Sequence, residues 1–299
     1  TDLEFVGVNE ITTQDVLDSR MIAWPLHLLE CCMVSDGGGA VIIASKEVAR
    51  NCKKPPVWII GGAEATKYRE NGGDITVSAG GQSGPRAFED AGFDSIWTPQ
   101  AMGRGFMFSD PFVALTVAAT VTKLEIGTAV IQLPLYEMPD FAHRMASLAQ
   151  LAPDRFVLGI GVGSTRTDFV VVGKDYDERF HEYQRKITEL RQWRDTGKYL
   201  DHDLSIWPHL LGKPPLLLGT WGKNVEIAAR DYDGWIASAK NRTTDEILRS
   251  LSKYRSCGGK RAVVSTIRVG SETDLDLLAR QLEIYEEAGV DDAVLMPLE

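Results

Sequence analysis

Short apolar runs alternate with amphipathic segments along the chain, and the clearest example lies between Leu124 and Ser164. Two apolar runs, Leu124 to Ile131 and Phe156 to Val162, flank a segment whose apolar residues follow a helical spacing. A parallel strand buried on both faces has a continuous apolar sequence, and a helical crossover must join two such strands. We therefore predict a strand–helix–strand unit whose glycine-rich exit lies where α/β proteins bind ligands.

The same alternation continues on both sides of this unit and predicts seven strands. The candidate strands are Ser95 to Trp97, Leu124 to Ile131, Phe156 to Val162, Pro215 to Gly219, Trp235 to Ala239, Ala262 to Val269 and Ala293 to Met296. Strands that alternate with helices form a parallel sheet, and a closed barrel of this type needs eight strands. For the missing first strand we choose Val57 to Ile60, with Ile75 to Ser78 as the second candidate, followed by a helix over Pro85 to Asp90. The last helix of such a barrel is expected to be absent, because the sequence stops at Glu299 just after the eighth strand.

Two helix starts have clear capping signals. Asp110 precedes Pro111, so a carboxylate can accept the first N–H groups while proline fills the first helical position. Thr243 and Glu246 have the spacing of a capping box, in which each side chain bonds the other residue's backbone N–H. We predict helices that begin just after Asp110 and just after Thr243.

Composition narrows the function classes by exclusion. The formal net charge is −10, whereas binding to nucleic-acid phosphates needs clustered Lys and Arg, so we predict no nucleic-acid partner. No run approaches the about 20 apolar residues of a membrane span, so we predict no membrane association. Four cysteines without CxxC spacing favour a reduced, cytoplasmic protein. The five histidines have no metal-ligand spacing, so we predict no metal site.

Glycine-containing turns after two predicted strands are the candidate ligand sites. One turn contains Gly219, Thr220, Trp221 and Gly222, and the other contains Gly161, Gly163 and Ser164. Small residues before a helix let backbone N–H groups approach an anion. Each turn also has a simpler interpretation, the first as an ordinary strand–helix turn and the second as a helix cap.

The N-terminal part of the chain resembles a different kind of protein from the rest. The segments PLHLLECCMVSDGGGAVII and GGDITVSAGGQSGPRAFEDAGF resemble an internal fragment of a thiolase-like protein of the lipid-transfer type, up to about residue 92. The nucleophilic cysteine of that family lies in a part that this sequence does not contain. We predict that Cys31 and Cys32 are buried small hydrophobes instead. The resemblance implies an α/β segment over residues 1–56 and an association with lipid metabolism.

From about residue 92 onward the chain resembles the bacterial luciferase-like superfamily. The blocks SDPFVALTVAATVTKLEIGTAV, LAPDRFVLGIGVGS and KPPLLLGTWGKNVEIAARDYDGW carry this resemblance in the family's order. That family comprises flavin- and deazaflavin-dependent oxidoreductases and monooxygenases on a (β/α)8 TIM barrel. The resemblance therefore implies a barrel over residues 57–299, with coenzyme F420 or, alternatively, FMN as its cofactor. It also implies a small-molecule substrate and a homodimer.

The second resemblance assigns roles to residues at the predicted strand ends. Cofactor contacts are implied for Thr98, Ala129, Val130, Gly161, Gly163, Ser164, Gly219, Thr220, Trp221 and Gly222. The segment Ala129-Val130 matches a bulge that often contains a non-proline cis peptide and supports one face of the ring. Relatives often have His, Asp or Glu near Gln100, and an amide cannot exchange a proton. Besides Gln100 itself, the catalytic candidates are Arg104, Glu137 and His143.

Two functions are consistent with this sequence. The first is an oxidoreductase that transfers a hydride between coenzyme F420 or FMN and a small organic substrate. The second is a non-catalytic cofactor-binding or interaction protein with a degenerate barrel. Gln100 and the bulky Trp221 favour the second function, and cofactor binding in solution would favour the first.

Overall fold

The chain divides into two compact units. The computed structural model describes residues 12–24, 26–30, 43–52, 57, 59, 61–64, 80–106, 108–204 and 206–298. Internal contacts group the chain into Thr1–Trp58 and Ile59–Glu299. Cys31, Cys32 and the alternative first strand at 75–78 lie outside the described residues.

The first unit contains short helices and one hairpin. Its elements are α1 (Thr13–Asp18), β1 (Met21–Ala23), β2 (Leu26–His27) and α2 (Lys46–Arg50). The two strands pair antiparallel. Helix α1 begins with a capping box between Thr12 and Asp15, which satisfies two backbone N–H groups that the first turn would leave unpaired.

The second unit alternates strands and helices as predicted. Its elements are α3 (Gly80–Asp90), β3 (Ser95–Thr98), α4 (Pro111–Val121), β4 (Glu125–Thr128), β5 (Ile131–Gln132), α5 (Met138–Leu151), β6 (Phe156–Gly161), α6 (Arg166–Val170), α7 (Arg179–Thr196), β7 (Lys198–Tyr199), β8 (His202–Asp203), β9 (Leu216–Gly219), α8 (Val225–Asp231), β10 (Gly234–Ser238), α9 (Thr244–Ser256), β11 (Arg261–Val269), α10 (Leu275–Glu287) and β12 (Asp292–Pro297). The predicted helix over Pro85 to Asp90 is α3, which begins earlier. Both capping predictions are confirmed, because Asp110 accepts from two N–H groups of α4 and Thr243 forms its capping box with Glu246.

Seven parallel strands form the main sheet of the described residues, in the order β3-β4-β6-β9-β10-β11-β12, and β5 adds to β6. These are the seven strands that the sequence predicts, in barrel order. The sheet confirms a parallel (β/α) barrel, nearly closed, with β3 and β12 at its two ends. β7 and β8 form a separate antiparallel pair in the loop before β9.

The predicted first strand over Val57 to Ile60 is not found where it can be assessed. Val57 and Ile59 have no strand pairing, and Trp58 and Ile60 lie outside the described residues. The next residues lie against a helix, since the backbone N–H of Gly62 donates to Asp90 of α3 at 2.9 Å. A Cβ on Gly61 would lie 2.6 Å from the Cβ of Ala91, so this backbone packs closely on the end of α3. The first strand over Val57 to Ile60 therefore stays a prediction, and the described residues that follow it contact α3.

Side chains fill the barrel interior, and a second apolar layer joins the sheet to its helices. The interior cluster consists of Val157, Leu217, Ile236 and Val263, with Trp97 and Val130 packed against it. The Trp97 ring lies over residue 127, where a Cβ would overlap the ring, so only glycine fits at this position. The interior is thus a packed core, which leaves the strand ends as the place for a ligand.

Arg261 ties together the N-terminal ends of three strands. Its guanidinium donates to Glu125 at the start of β4, at 2.6 and 3.0 Å, and to Asp292 at the start of β12, at 2.7 and 2.8 Å. These hydrogen bonds raise the pKa of Arg261 further above its usual range. The pairing joins strands from both halves of the open sheet.

Candidate functional site

The predicted cofactor residues come together at the C-terminal ends of the parallel strands. Thr98 ends β3, Gly161 ends β6 and Gly219 ends β9. The strands of a parallel sheet all point the same way, so their C-terminal ends share one edge of the barrel. The backbone N–H of Ala129, which follows β4, donates to the carbonyl of Thr98 at 2.9 Å. Residues 31 positions apart in the sequence therefore meet at this edge.

The peptide bond between Ala129 and Val130 is cis, as the family resemblance implies. The chain turns here between β4 and β5 and directs the Val130 side chain toward the neighbouring strand ends. A Cβ on Gly161 would lie 3.1 Å from one γ-methyl of Val130, and a Cβ on Gly219 would lie 2.7 Å from the other. The two glycines therefore have a packing role, which is to make room for Val130. Their predicted contact with a cofactor stays a prediction.

The turn after β9 is shaped by aromatic packing. The Trp221 ring packs edge-on against Trp235 at 5.6 Å, and Trp235 donates its indole N–H to the carbonyl of Thr220 at 2.8 Å. Arg242 also lies over the Trp221 ring, 5.0 Å from its centre. Gly222 has a φ of +65°, a left-handed conformation that favours glycine. Trp221 is therefore half-buried in the wall of the turn.

The turn after β6 does not act as a side-chain helix cap. Gly163 has a φ of +86°, and a Cβ on it would lie 2.5 Å from Oε1 of Gln132. Ser164 is exposed, and its carbonyl accepts a hydrogen bond from the Tyr176 hydroxyl at 3.1 Å. Thr165 precedes α6 without a side-chain hydrogen bond to it. The simpler interpretation of this turn as a helix cap is therefore wrong.

Three of the four catalytic candidates, Gln100, Glu137 and His143, do not form a group. Gln100 is buried at the end of β3, where its amide donates to Tyr136 and accepts from the backbone N–H of Gln132, both at 2.8 Å. Glu137 is exposed before α5 and pairs with Lys174. The hydrogen bond from Lys174 holds the pKa of Glu137 below its usual range. His143 lies exposed on the surface of α5.

A buried carboxylate that the sequence analysis did not single out lies beside Gln100. Asp168 on α6 is fully buried and accepts from both Arg104, in the loop after β3, and the backbone N–H of Met102 at 3.2 Å. Gln132 donates to the same carboxylate at 2.8 Å. Burial alone would raise the pKa of Asp168, but the hydrogen bonds from Arg104 and Gln132 outweigh it and lower the pKa. The sequence signal was weak, an acidic residue directly before the apolar run Phe169 to Val172.

Gln132 has a buried amide oxygen without a partner in the described part of the chain. Its Nε2 must face the Asp168 carboxylate, since only an N–H can donate there, and this fixes the direction of Oε1. Oε1 then has no hydrogen bond within the described residues. It lies beside Gly163, at the edge where the strand ends meet. A buried carbonyl in this position can accept from an N–H or O–H of a bound molecule.

The structure also has a cavity away from the candidate site. A cavity of about 390 Å³ lies at the opposite end of the barrel, near the starts of β6 and β9, where Phe156 and Pro215 contribute to its wall. Barrel enzymes use the C-terminal strand ends, so we assign this cavity no role in chemistry.

Among the residues that the structure describes, no cluster of His, Cys, Asp and Glu could hold a metal ion, and no helix is long and apolar enough to span a membrane.

A match of the sequence to a family model supports the assignment of the barrel. The model described as luciferase-like monooxygenase matches residues 85–294, more than half of the chain. An F420-dependent hydroxymycolic acid dehydrogenase from Mycobacterium tuberculosis is 25% identical over 225 aligned residues, covering 70% of this chain and 59% of that protein. The solved structure of an F420-dependent secondary alcohol dehydrogenase, in complex with an F420-acetone adduct, has a TM-score of 0.56 at 15% identity. The structural match covers 70% of this chain and 86% of that chain, and at this identity it supports only the assignment of the fold.

Two further relatives match over shorter stretches of the chain, and the thiolase among them agrees with the resemblance of the N-terminal segment. A steroid side-chain-cleaving aldolase from Thermomonospora curvata is 46% identical over 61 residues, covering 20% of this chain and 16% of that protein. A benzoylsuccinyl-CoA thiolase subunit from Thauera aromatica is 36% identical over 69 residues, covering 22% of this chain and 18% of that protein. The chain thus spans less than two thirds of the length of each of these relatives and of the dehydrogenase from M. tuberculosis.

Proposed function

Because the chain belongs to the luciferase-like monooxygenase family, we propose that it is an oxidoreductase that transfers a hydride between coenzyme F420 or FMN and a small organic substrate. When bound, the deazaflavin or flavin ring supplies the hydride chemistry, while the protein supplies binding and orientation. The dehydrogenase relative and the solved alcohol dehydrogenase are both named for their dependence on F420. We therefore favour F420 and retain FMN as the alternative.

The observation that carries the proposal is the position of Val130 at the meeting point of the strand ends. Its side chain fills the space above Gly161 and Gly219, so an apolar platform closes the end of the packed interior. A flat, largely apolar ring system suits such a platform, because burying both apolar surfaces is favourable. Ala129 and Val130 would support one face of the ring there.

Polar groups at the same edge fit the cofactor as well. The unpaired Oε1 of Gln132 is a buried acceptor, and leaving such a group unsatisfied costs about 1–3 kcal/mol. The pyrimidine part of a flavin or deazaflavin has an N–H donor that could satisfy this oxygen. The Thr220 hydroxyl and the backbone of Gly222 would then bind the phosphate, because small residues allow close approach to an anion.

The polar residues around the site fall into two groups, those that position the site and the candidates for proton transfer. Asp168 is ionised at neutral pH and bound to Arg104, so we assign these two a positioning role, which is to fix the loop after β3 against α6. Gln100 orients Gln132 and Tyr136 through its amide. The hydrogen bond from Lys174 lowers the pKa of Glu137 and makes this carboxylate a weaker base, and His143 lies exposed on α5, so we assign proton transfer to neither residue.

Titration of the purified protein with F420 and with FMN tests the proposal directly. Quenching of the fluorescence of each cofactor would give the two dissociation constants. We expect saturable binding of at least one cofactor in the micromolar range or tighter, followed by substrate-dependent oxidation of the reduced cofactor. If neither cofactor binds, the proposal is wrong.

A second function is favoured by one observation, the hydrogen bonds of the buried Gln100 amide to Tyr136 and Gln132. A residue held in this way stabilises the edge, and an amide does not exchange a proton. This arrangement favours a non-catalytic cofactor-binding protein. The two functions differ in turnover, because a carrier would bind the cofactor yet leave reduced cofactor unchanged with any alcohol, aldehyde or ketone supplied.

A further inference from the structure

A positively charged groove adjoins the turn after β9. It has a volume of about 410 Å³ and lies between that turn and helix α9. The residues that form its wall are Trp221, Gly222, Arg242, Glu246, Arg249, Ser250 and Lys253. Three of these side chains are cationic and one is anionic, in a chain whose formal net charge is −10. The positive charge is therefore a local property of this groove.

The carboxylate in the wall of the groove, that of Glu246, already accepts hydrogen bonds from two other residues. Glu246 accepts from the backbone N–H of Thr243 at 2.9 Å, as part of the capping box of α9, and pairs with Arg242 at 3.3 Å. Arg242 also lies over the Trp221 ring. Lys253 pairs with Glu226 of α8 at 2.7 Å. These pairs hold the walls of the groove in place and leave its charge only partly neutralised.

Arg249 is the third cationic side chain in the wall of the groove. It has no hydrogen bond or ion pair within the residues that the structure describes, although Asp245 precedes it by four positions on α9. An acidic residue four positions before an arginine is favourably placed for an ion pair on a helix. Arg249 instead contributes to the groove, where its five N–H donors suit carboxylate or phosphate oxygens.

The groove begins at the turn that follows the strand end proposed to bind the ring. Gly219, which packs against Val130, is separated from Trp221 by one residue, and Trp221 and Gly222 form the near wall of the groove. A ligand whose ring lies at Val130 and whose phosphate lies at this turn can extend its remaining chain into the groove. This step rests on the proposed function.

We propose that the groove binds the row of carboxylates that follows the phosphate in coenzyme F420, with Arg249 as a specificity-determining residue. The tail of that cofactor is an oligoglutamate chain, whereas FMN ends at its phosphate. Carboxylates in the groove would pair with Arg249 and with the partly neutralised Arg242 and Lys253. The groove thus gives this protein a means to distinguish the deazaflavin from the flavin.

The test is equilibrium binding, read by cofactor fluorescence, of F420 with one glutamate, F420 with five glutamates, and FMN. The variants are Arg249→Gln and, as a matched control, Arg280→Gln, since Arg280 is also exposed on a helix and has no ion pair among the described residues. We expect the five-glutamate form to bind several-fold tighter than the one-glutamate form. Arg249→Gln should reduce that advantage by about two- to fivefold, the range for an exposed charge pair. Raising the salt concentration to about 0.5 M should weaken it too, since screening shortens the reach of exposed charges.

The outcomes separate this inference from the function on which it rests. Equal affinity for the two glutamate forms, or an advantage that persists unchanged in Arg249→Gln, would overturn the tail assignment while cofactor binding still supports the proposed function. If Arg249→Gln weakens FMN and both glutamate forms equally, the groove recognises phosphate and the tail assignment is wrong. If neither cofactor binds, both proposals are wrong.

Discussion

Val130 occupies the space that a side chain at position 219 would need. A Cβ on Gly219 would lie 2.7 Å from a γ-methyl of Val130, closer than real Cβ contacts. The two residues are far apart in the sequence, and the ends of β4 and β9 bring them together. Their contact fixes both the shape of the apolar platform and the identity of residue 219.

Gly219→Ala is therefore expected to displace Val130. Overpacking of this kind costs about 1–3 kcal/mol of unfolding free energy. Because Val130 is part of the platform, its displacement should also weaken cofactor binding, by about tenfold. Urea unfolding and cofactor fluorescence titration measure the two effects. The double variant Gly219→Ala, Val130→Ala should recover most of the loss, because the smaller residue vacates the space.

Gly84→Ala provides the control for this prediction. Gly84 lies in α3, and a Cβ there would have no neighbour within 4 Å. Alanine in a helix is favoured over glycine by about 0.5–1 kcal/mol, so this variant should be as stable as the wild type or slightly more so. A Gly219→Ala variant that behaves like Gly84→Ala would contradict the packing role of Gly219.

Replacing the buried carboxylate of Asp168 should destabilise the mouth of the barrel. Asp168→Asn keeps the shape of the side chain but leaves Arg104 without its charged partner. The expected loss is about 2–4 kcal/mol of unfolding free energy, somewhat below that of a fully buried pair because Arg104 is partly exposed. Chemical denaturation measures it. Asp177→Asn breaks the exposed pair with Arg166 and should change stability little, so equal effects of the two variants would refute the argument.

The same carboxylate predicts a pH dependence of stability. The pKa of Asp168 in the folded protein lies below its usual value, so the unfolded chain binds a proton more readily. The stabilisation by Asp168 is therefore fully present above the unfolded pKa of about 3.9 and is lost as the pH falls through the folded pKa. Urea unfolding of wild type and Asp168→Asn at pH 7, 5, 4 and 3 should show a gap that narrows toward pH 3. A gap that stays constant would mean that Asp168 is not the titrating group.

Arg261 should be the main electrostatic contributor at the N-terminal ends of the strands. Arg261→Gln would leave Glu125 and Asp292, both partly buried, without their shared cation. We expect a loss of about 2–3 kcal/mol, discounted for the partial exposure of all three groups. Urea unfolding measures this loss. Arg230→Gln removes an exposed pair with Asp231 and serves as the control, for which little change is expected.

The sequence by itself determined most of the barrel and the location of its ligand end. Apolar runs and helical spacing placed the seven strands, and capping residues placed the starts of α4 and α9, because these features depend on residues close together in the chain. The family resemblance located the cis peptide at Ala129–Val130, and the strand order placed Thr98, Gly161 and Gly219 at one edge, whereas their contact with a cofactor stays a prediction.

Only the tertiary structure decided how those residues are used. Periodicity carries no information about partners that are distant in sequence, such as Arg104 with Asp168 or Arg261 with Glu125, 136 positions apart. The hydrogen bonds of Gln100 and the exposure of His143 depend on packing between elements, and so does the contact of Gly62 with α3. The reason is physical. Local pattern sets which elements form, whereas burial and pairing across the barrel set what each side chain can do.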